Sequence, residues 1–561
     1  MKTKIWITAV LQLIWESRAY VTSGLPGHTH RAWLKKMTYD ICNLPAGELS
    51  PEMCLAAPQI LSAWARNPYI SKGGTNRIRG RNRKVLHPQE DMFSYDEDQV
   101  LSRRGKECAL ACEQIMKRLV DERRAGNIHA VADTNTYNAL IDAWARSGAK
   151  GAGVQRAEQI LIEMQDAFIS GDQLLEPNTE SFHTVIKAWV NAGNGEEFQI
   201  HRAQRVLEWM VQLYQSDENC SATPSADCFD LVLSGWAHSS HPNAPRKAEE
   251  MLMWMDQLYQ TNEQKFQNAK PTIHSFNHII KAWANHKPQS NHKNTLTSSS
   301  ISAQRAEDIL NHMEILGQSP NTQHLAPNLV SYSTVASAWG KARTDDSARR
   351  ADKILQRVEV KYLDGHTNLQ PDALAYNFVA DAYAKSNSNR AHIKARAVLD
   401  RQLTMYKANK LQSCKPDVYS YTSVLSSCAS LNGSRRDRLH AFEVATQTFQ
   451  DMIDSGYIAP NHVTYGTMIK ACGRLLPPGK HRSKIVKQYF DLACQDGCVG
   501  NMVLSRLKDA TSEGQFKHWI TNSYSNPNQE LPPDWTWQVP QHDKHKNSRK
   551  YNANTSARLR P

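Results

Sequence analysis

The stretch TYNALIDAW at positions 136–144 decides the fold of this chain, because its pattern recurs along the sequence. An aromatic anchor is followed seven positions later by Trp or Tyr in six places and by Cys in two more: Tyr137/Trp144, Phe182/Trp189, Phe229/Trp236, Phe276/Trp283, Tyr332/Trp339, Tyr376/Tyr383, Tyr421/Cys428 and Tyr465/Cys472. The anchors fall 45, 47, 47, 56, 44, 45 and 44 residues apart. A sustained period of this size predicts stacked helical repeats rather than the core of a globular enzyme.

Each repeat opens on an amphipathic helix. Tyr137, Leu140, Ile141 and Trp144 stand at i, i+3, i+4 and i+7, which places them on one helical face. Pro followed by a polar residue, a helix-start signal, precedes seven of the eight anchors. A second helix follows, marked by Ala and then Leu or a looser equivalent four positions later. The pattern predicts an all-α fold, a right-handed α-solenoid of stacked helix–turn–helix repeats with the anchor stripes in its core.

Four regions follow from this register. We expect a targeting peptide at 1–40, a degenerate capping repeat at 41–130, eight repeats at 131–500, and a capping helix with a basic disordered tail at 501–561. The capping repeat carries a basic Gly/Arg/Asn-rich insert, and its second helix is predicted at about 98–124. The Ser/Thr/Asn-rich stretch 288–300 is predicted to be a loop insert, which accounts for the single interval of 56 residues.

The net charge of +12 is unevenly distributed. Residues 1–36, 71–84 and 541–561 carry +5, +6 and +5, which leaves about −4 for the remainder. The repeats themselves are therefore not strongly basic, and charge alone does not establish nucleic-acid binding. The 11 cysteines include no CxxC motif and are expected to be reduced and mostly buried. No stretch of the sequence is apolar enough to predict a membrane span.

The N-terminus has the pattern of a targeting segment. Two lysines precede the apolar run 5–15, and Ser17-Arg18-Ala19 resembles a small-x-small cleavage site. The following residues, 20–36, are basic and free of acidic side chains, as in transit peptides. A signal joined to a transit peptide favours a plastid of secondary origin, with the mitochondrion as the alternative. Secretion is disfavoured because the cysteines show no disulfide pattern.

Two segments resemble the opening of pentatricopeptide repeats, VTYGTMI at 463–469 and TYNALID at 136–142. The second helix and the closing Pro-Asp or Pro-Asn resemble the rest of such a repeat, over about 131–500, although the spacing here is longer than is usual in the family. The resemblance implies a monomeric, non-catalytic protein without cofactor or membrane contact. Its implied partner is single-stranded organellar RNA, whose processing, stability or translation it would support, with other RNA-processing proteins as further partners.

In the family, the residue after the anchor and the residue four before the next anchor read one base together. On this resemblance the readout pairs, which imply C, C, G, U and A in chain order, are Asn138/Asn178, Asn277/Asn328, Ser333/Asp372, Asn377/Asp417 and Thr422/Asn461. His183/Ser225 and Asp230/Thr272 match no family pair, and Gly466 offers no readout. The predicted core target is 5′-GUA-3′, extended to CGUA. Short polar side chains suit a Watson–Crick edge, but the same types also cap helices.

Two further positions carry expected roles by the same resemblance. An apolar side chain two before the anchor wedges against the bases, and repeats 5 to 8 supply Val330, Leu374, Tyr419 and Val463. A basic side chain nine after the anchor meets phosphate, and the candidates are Arg146, Lys341, Lys385 and Arg474. Taken together, these signals are more coherent in repeats 5 to 7 than in the first four, which are patchier.

The enzyme signatures of some relatives are weak in this sequence. His312-Met313-Glu314 is the lone H-x-E of the kind that zinc deaminases use, and no CxxC follows it. The segment after residue 500 is short and poor in acidic residues, which disfavours a metal-dependent nuclease domain. Two non-catalytic alternatives stay open: a helical scaffold for protein partners, and a protein docked on an organellar ribosome through basic segments that contact phosphate non-specifically.

Overall fold

The structure, a computed structural model, describes residues 27–540 apart from 46, 66–96, 149–150, 193–194, 217–219, 287–294, 387, 389, 409 and 522–532. Within this part of the chain the regular elements are all helices. Three helices precede the repeats: α1 (Gly27–Cys42), α2 (Pro51–Ala65) and α3 (Glu97–Arg124). The second helix predicted for the capping repeat corresponds to α3.

Eight helix pairs follow, one for each anchor. The first helices begin just after the Pro-polar signals and are α4 (Thr134–Ala145), α6 (Thr179–Ala192), α8 (Ala226–His238), α10 (Ile273–Asn285), α12 (Leu329–Lys341), α14 (Ala373–Lys385), α16 (Val418–Ala429) and α18 (His462–Leu475). The second helices are α5 (Ala152–Ile169), α7 (Glu197–Ser216), α9 (Ala244–Thr261), α11 (Thr295–Leu316), α13 (Asp345–Leu363), α15 (Ala391–Lys407), α17 (Arg435–Asp454) and α19 (Lys480–Gln495). The predicted all-α repeat architecture is confirmed.

The chain divides into two compact halves, Met1–His278 and Ile279–Pro561, which are described separately. In each half a first helix packs against its own second helix and against neighbouring first helices, as α12 does with α13 and α14. This stacking buries the apolar face that one pair cannot bury alone. No described helix is long and apolar enough to cross a membrane.

The aromatic stripes form the core, as predicted. Trp189, Trp236, Trp339 and Tyr383 are buried, and Trp283 is half-buried. The polar atoms of three of these rings are also satisfied by an acidic residue of the preceding second helix: Trp189 Nε1 donates to Glu158 (2.8 Å), Trp339 Nε1 to Glu307 (2.8 Å) and Tyr383 Oη to Asp352 (3.0 Å). Each acid therefore joins two successive repeats through a buried or part-buried hydrogen bond.

An arginine of the following second helix completes each of these links. Arg202 pairs with Glu158 at 2.6 Å, Arg350 with Glu307 at 3.4 Å and Arg401 with Asp352 at 2.5 Å. The guanidinium groups of Arg202 and Arg350 also lie over the faces of Trp189 and Trp339. Ion pairs thus connect consecutive second helices inside each half.

The N-terminal helix α1 spans residue 40, where the predicted targeting peptide ends. Leu34 and Ile41 are fully buried, and Trp64 Nε1 of α2 donates to Thr38 Oγ1 at 2.9 Å. A targeting peptide ending at residue 40 would cut through this packed helix. Residues 1–26 lie outside the described part of the chain.

Two other segments differ from expectation. Helix α11 begins at Thr295, so the end of the Ser/Thr/Asn-rich stretch 288–300 is helical rather than loop. After the last repeat come α20 (Asn501–Ala510), α21 (Glu513–Thr521) and the short α22 (Pro533–Thr536), two helices more than the single one predicted. The tail up to residue 540 also packs against the last repeat: Val499 N donates to the Trp535 carbonyl at 2.7 Å, and the Trp535 ring meets Phe490 edge-on. The basic segments 71–84 and 541–561 lie outside the described residues.

The cysteines are free thiols, and most are buried. Cys428 and Cys472 occupy the position that Trp holds in earlier repeats, and both are fully buried. Burial raises the pKa of both thiols, to about 12 in each case. They are therefore protonated core residues at neutral pH, in agreement with the sequence analysis.

Candidate nucleic-acid interface

The pair Asn377/Asp417 joins two adjacent repeats of the C-terminal half. Asn377 lies in the second turn of α14, and Asp417 caps the N-terminus of α16. Asn377 Nδ2 donates to Asp417 Oδ1 at 3.1 Å, and the hydroxyl of Ser420 donates to Asn377 Oδ1 at 2.7 Å. Residues 40 positions apart in sequence thus form one polar cluster.

The N-terminal half contains the same cluster. Asn138 Nδ2 donates to Asn178 Oδ1 at 3.2 Å, and Ser181 Oγ donates to Asn138 Oδ1 at 2.6 Å. Asn178 also accepts a hydrogen bond from the Ser181 amide at 3.1 Å, which is the N-cap arrangement at the start of α6. The structure therefore brings together the first predicted pair.

A third cluster was missed by the sequence reading. Ser275 Oγ donates to Asp230 Oδ1 at 2.6 Å, and Thr272 Oγ1 donates to Asp230 Oδ2 at 3.2 Å. Burial raises the pKa of the Asp230 carboxyl, although these two hydroxyl donors act in the opposite direction. The pair Asp230/Thr272 was set aside because it matches no family pair. The serine directly before the anchor, which repeats 2 and 4 share, was the signal that linked it to the others.

The remaining predicted pairs are less closely joined. Thr422 Oγ1 lies 3.1 Å from Thr464 Oγ1, which in turn donates to Asn461 Oδ1 at 3.1 Å. In the described part of the chain Ser333 and Asp372 share no hydrogen bond, and neither do His183 and Ser225. Asn277 and Asn328 belong to different halves, and their relative placement is not described.

The second member of each pair is a helix cap. Asn328, Asp372, Asp417 and Asn461 each accept a backbone amide hydrogen bond at the start of the following first helix. Capping is therefore a role that these side chains have without any ligand. It does not exclude readout, because the hydrogen bonds of Asp417 all converge on Oδ1 and leave Oδ2 without a donor among the described residues.

The first members of the pairs are poorly exposed. Asn138 and Asn377 have 6% and 4% of their surface accessible, whereas Ser333, Thr422 and Asn277 are half-buried. An amide held in this way is pre-oriented, and only its edge is offered to a ligand. Such rigidity favours discrimination between hydrogen-bonding patterns over adaptable binding.

The predicted wedge positions are exposed apolar side chains. Val330, Leu374 and Tyr419 are 60%, 54% and 52% exposed, and Val463 is half-buried. In the first four repeats the equivalent residues are polar and equally on the surface: Asn135, Glu180, Asp227 and His274. Three large apolar groups one turn from the polar pairs offer stacking surfaces that the N-terminal half lacks.

The four predicted phosphate contacts are already engaged within the protein. Arg146 pairs with Asp142 at 2.7 Å, and Lys385 with Asp381 at 2.5 Å, each on its own helix. Lys341 Nζ donates to the Ala284 carbonyl at 2.7 Å, and Arg474 donates to Asn432 at 2.6 Å. The full charge of Arg146 and Lys385 is therefore offset by a carboxylate.

A basic cluster near the end of the array was not predicted. Lys470 lies on α18, half-buried, with the guanidinium groups of Arg474 and Arg506 close enough to act on its charge. Burial, with these two cations, lowers the pKa of the Lys470 ammonium. Mutual repulsion of this kind is relieved when an anion binds.

The lone H-x-E has a structural explanation. Glu314 lies on α11 and accepts hydrogen bonds from the Tyr332 hydroxyl and Arg357, and Lys361 pairs with it at 2.8 Å. Glu314 therefore ties three side chains of the next repeat to α11. Among the described residues no group of three or more His, Cys, Asp or Glu could hold a metal ion.

Comparison with known proteins places one part of the chain in a family. Residues 407–474 match the family model described as pentatricopeptide repeat domain, and this segment includes Asp417, Tyr419, Thr422, Asn461 and Val463. The crystal structure of the pentatricopeptide repeat protein PPR10 from maize is similar to this chain at 13% sequence identity and a TM-score of 0.30. The alignment covers 89% of this chain and 76% of the maize chain. No curated protein matches the chain.

Proposed function

We propose that this pentatricopeptide repeat protein binds single-stranded RNA and reads bases with the polar pairs formed between adjacent repeats. The observation that carries the proposal is the repeated cluster Asn138/Asn178 and Asn377/Asp417, in which the residue after an anchor is hydrogen-bonded to the cap of the next first helix. A scaffold for protein partners requires no such pairing at constant spacing.

The chemistry of the pair suits a base edge. Asn377 Nδ2 has two hydrogens, of which one is donated to Asp417, and Asp417 Oδ2 is an acceptor. A donor beside an acceptor complements the adjacent acceptor and N3–H donor of uracil. The exposed side chains of Leu374 and Tyr419 provide apolar surfaces on which unstacked bases pack.

We assign the core target 5′-GUA-3′ to repeats 5 to 7, extended to CGUA by repeat 4. The assignment follows the family pattern for Ser333/Asp372, Asn377/Asp417, Thr422/Asn461 and Asn277/Asn328. The assignment of repeats 5 to 7 is supported by their exposed apolar wedges, which the first four repeats lack.

A specificity exchange in repeat 6 tests the assignment. RNAs of equal length containing CGUA, or the same RNA with G, C or A in place of U, are titrated with the full chain at one fixed salt concentration. Wild type binds the U form most tightly, and Asn377→Thr shifts the preference toward G. Equal affinity of wild type for all four RNAs would remove base readout and favour the scaffold function, and an unaltered preference in Asn377→Thr would remove the assignment of repeat 6.

We also propose that the protein acts in an organelle, with the plastid favoured over the mitochondrion, and supports RNA processing, stability or translation. The support is the basic, acid-poor N-terminal sequence, with any cleavage upstream of α1 because α1 is packed. Residues 1–40 fused to a fluorescent protein should direct it to plastids. A cytosolic signal would contradict the proposal.

A further inference from the structure

A buried hydroxyl directly precedes the anchor in several repeats. Ser181, Ser275, Ser420 and Thr464 are at most 1% exposed, and each lies between the residue after the previous anchor and the cap of its own helix. These side chains are shielded from solvent. Their hydrogen bonds join the residue after one anchor to the cap of the next first helix.

The hydrogen bonds of Ser420 determine where its proton goes. Its oxygen accepts the Asp417 amide at 3.1 Å and Gln402 Nε2 at 3.3 Å, so both lone pairs are used. The hydroxyl proton is left for Asn377 Oδ1 at 2.7 Å, with Asp417 Oδ1 at 3.0 Å as the longer alternative. Ser420 is therefore a donor toward Asn377.

This donor fixes the orientation of the Asn377 amide. In the observed orientation Oδ1 faces the Ser420 hydroxyl and Nδ2 faces the Asp417 carboxylate. A flipped amide would set its carbonyl against that carboxylate and its NH₂ against an oxygen whose lone pairs are occupied. Both contacts would be repulsive, so the edge that Asn377 presents is a donor edge.

We propose that Ser420 is a positioning residue for base selection by repeat 6, and that it acts by locking the Asn377 amide in its donor orientation. The inference rests on the proposed function. Ser181 stands in the same relation to Asn138 and Asn178, with a bond of 2.6 Å. Base selectivity therefore depends on a third, buried side chain in addition to the two that form each pair.

The chain contains natural variations of this arrangement. In repeat 6, Ala375 stands directly before the anchor, where repeat 7 has Ser420. The pair at this position is Ser333 and Asp372, and among the described residues no hydrogen bond joins Ser333 to Asp372. In repeat 3, Cys228 stands directly before the anchor. The pair there, His183 and Ser225, also shares no hydrogen bond among the described residues. Within each half, the pairs that are connected are those whose next anchor is preceded by Ser or Thr, with Thr464 itself linking Thr422 to Asn461.

Three variants of Ser420 and one control test the proposal. Ser420→Ala removes the donor, Ser420→Cys replaces it by a weak donor of similar size, and Ser420→Thr retains it, as Thr464 does naturally. Ser347→Ala is the matched control. Ser347 is equally buried and makes the same capping contacts with Thr344 at the start of α13, but it touches no readout residue.

The measurement is the ratio of Kd values of the full chain for RNAs that carry U or C at the third base of CGUA. We expect Ser420→Ala and Ser420→Cys to reduce the preference for U about five-fold, the effect of one lost hydrogen bond. Ser420→Thr and Ser347→Ala should keep the wild-type ratio, although Ser347→Ala loses stability as Ser420→Ala does.

The outcomes separate the inference from the function on which it rests. Wild type without preference between the two RNAs would overturn base readout, and the role of Ser420 with it. If wild type prefers the U RNA and Ser420→Ala or Ser420→Cys prefers it equally strongly, the positioning role of Ser420 alone is overturned. An equal loss in Ser347→Ala would show a merely structural effect and would also overturn it.

Discussion

At the scale of single residues, Asn377 and Asp417 contribute to folding in addition to the proposed readout. Asp417 caps α16, and Asn377 connects that cap to the preceding repeat, so both contribute to folding without RNA. A cap contributes about 1 kcal/mol, which makes these positions intolerant of apolar substitution whether or not RNA is bound. Loss of RNA binding in an alanine variant would therefore not distinguish readout from stability. Polar exchanges that retain the cap are more informative.

The ion pair between Lys385 and Asp381 leads to a prediction that a substitution increases RNA affinity. Asp381 holds Lys385 at 2.5 Å, and its charge also contributes to the raised pKa of Tyr419, whose first cause is burial. Asp381→Asn leaves a full positive charge on Lys385 for phosphate. We expect RNA affinity to rise about two- to three-fold at low salt, and the log–log salt slope to steepen by about 0.7, the value for one contact on a single strand.

The control for that prediction is Glu443→Gln. Glu443 is exposed on α17, a second helix, and its substitution makes the same change in net charge. Filter binding over a range of salt concentrations compares the two variants. Equal gains in both would mean that net charge alone acts, and that Lys385 does not meet phosphate.

At the scale of helices, acidic residues of one second helix connect three elements. Asp352 of α13 accepts from the Tyr383 hydroxyl of α14 at 3.0 Å and pairs with Arg401 of α15 at 2.5 Å. Glu158 and Glu307 make the equivalent contacts with tryptophans. Part of the cohesion between neighbouring repeats is thus polar and depends on specific side chains.

Removal of one hydroxyl tests this link. Tyr383→Phe keeps the packed ring and deletes only its bond to Asp352, leaving a buried carboxylate with one donor fewer. We expect the free energy of unfolding to fall by about 1 to 2 kcal/mol in urea denaturation. Tyr362→Phe on α13, where the structure shows no hydroxyl bond, should change it little. Equal effects in the two variants would mean that the Asp352 bond contributes nothing specific.

Sequence analysis located best the helices that carry both the repeating aromatic anchor and the Pro-polar signal of a helix start. The first helices begin at the Pro-polar dipeptides because proline and a capping side chain act locally. The packing of residues 533–540 onto the last repeat had no such signal. It depends on the Trp535 backbone carbonyl meeting Val499 and on its ring meeting Phe490, which are tertiary contacts between distant residues.

The candidate site was predictable in part for the same reason. The register of the anchors located Asn377 and Asp417, since both lie at fixed offsets from Tyr376 and Tyr421. The sequence analysis did not predict that Lys385 and Arg146 are neutralised by acids four residues earlier on the same helices, Asp381 and Asp142. The buried role of Ser420 required the hydrogen-bond geometry.

At the scale of the whole molecule, the charge of the chain is not concentrated on the repeats. The residues outside the three basic segments carry about −4, and many of the arginines on second helices are engaged in pairs such as Arg401 with Asp352. Under the proposed function, selectivity for RNA comes from the polar pairs and wedges rather than from a general attraction to polyanions. The scaffold and ribosome-docking alternatives make no such demand for a defined RNA sequence.

The most direct test of this central claim is selection from a fully randomised single-stranded RNA pool by the full chain at fixed, near-physiological salt, followed by sequencing of the bound fraction. Base readout by repeats 4 to 7 predicts enrichment of RNAs that contain CGUA, with GUA the most constant part. Recovery of RNAs without a shared motif, or with a motif lacking GUA, would contradict it.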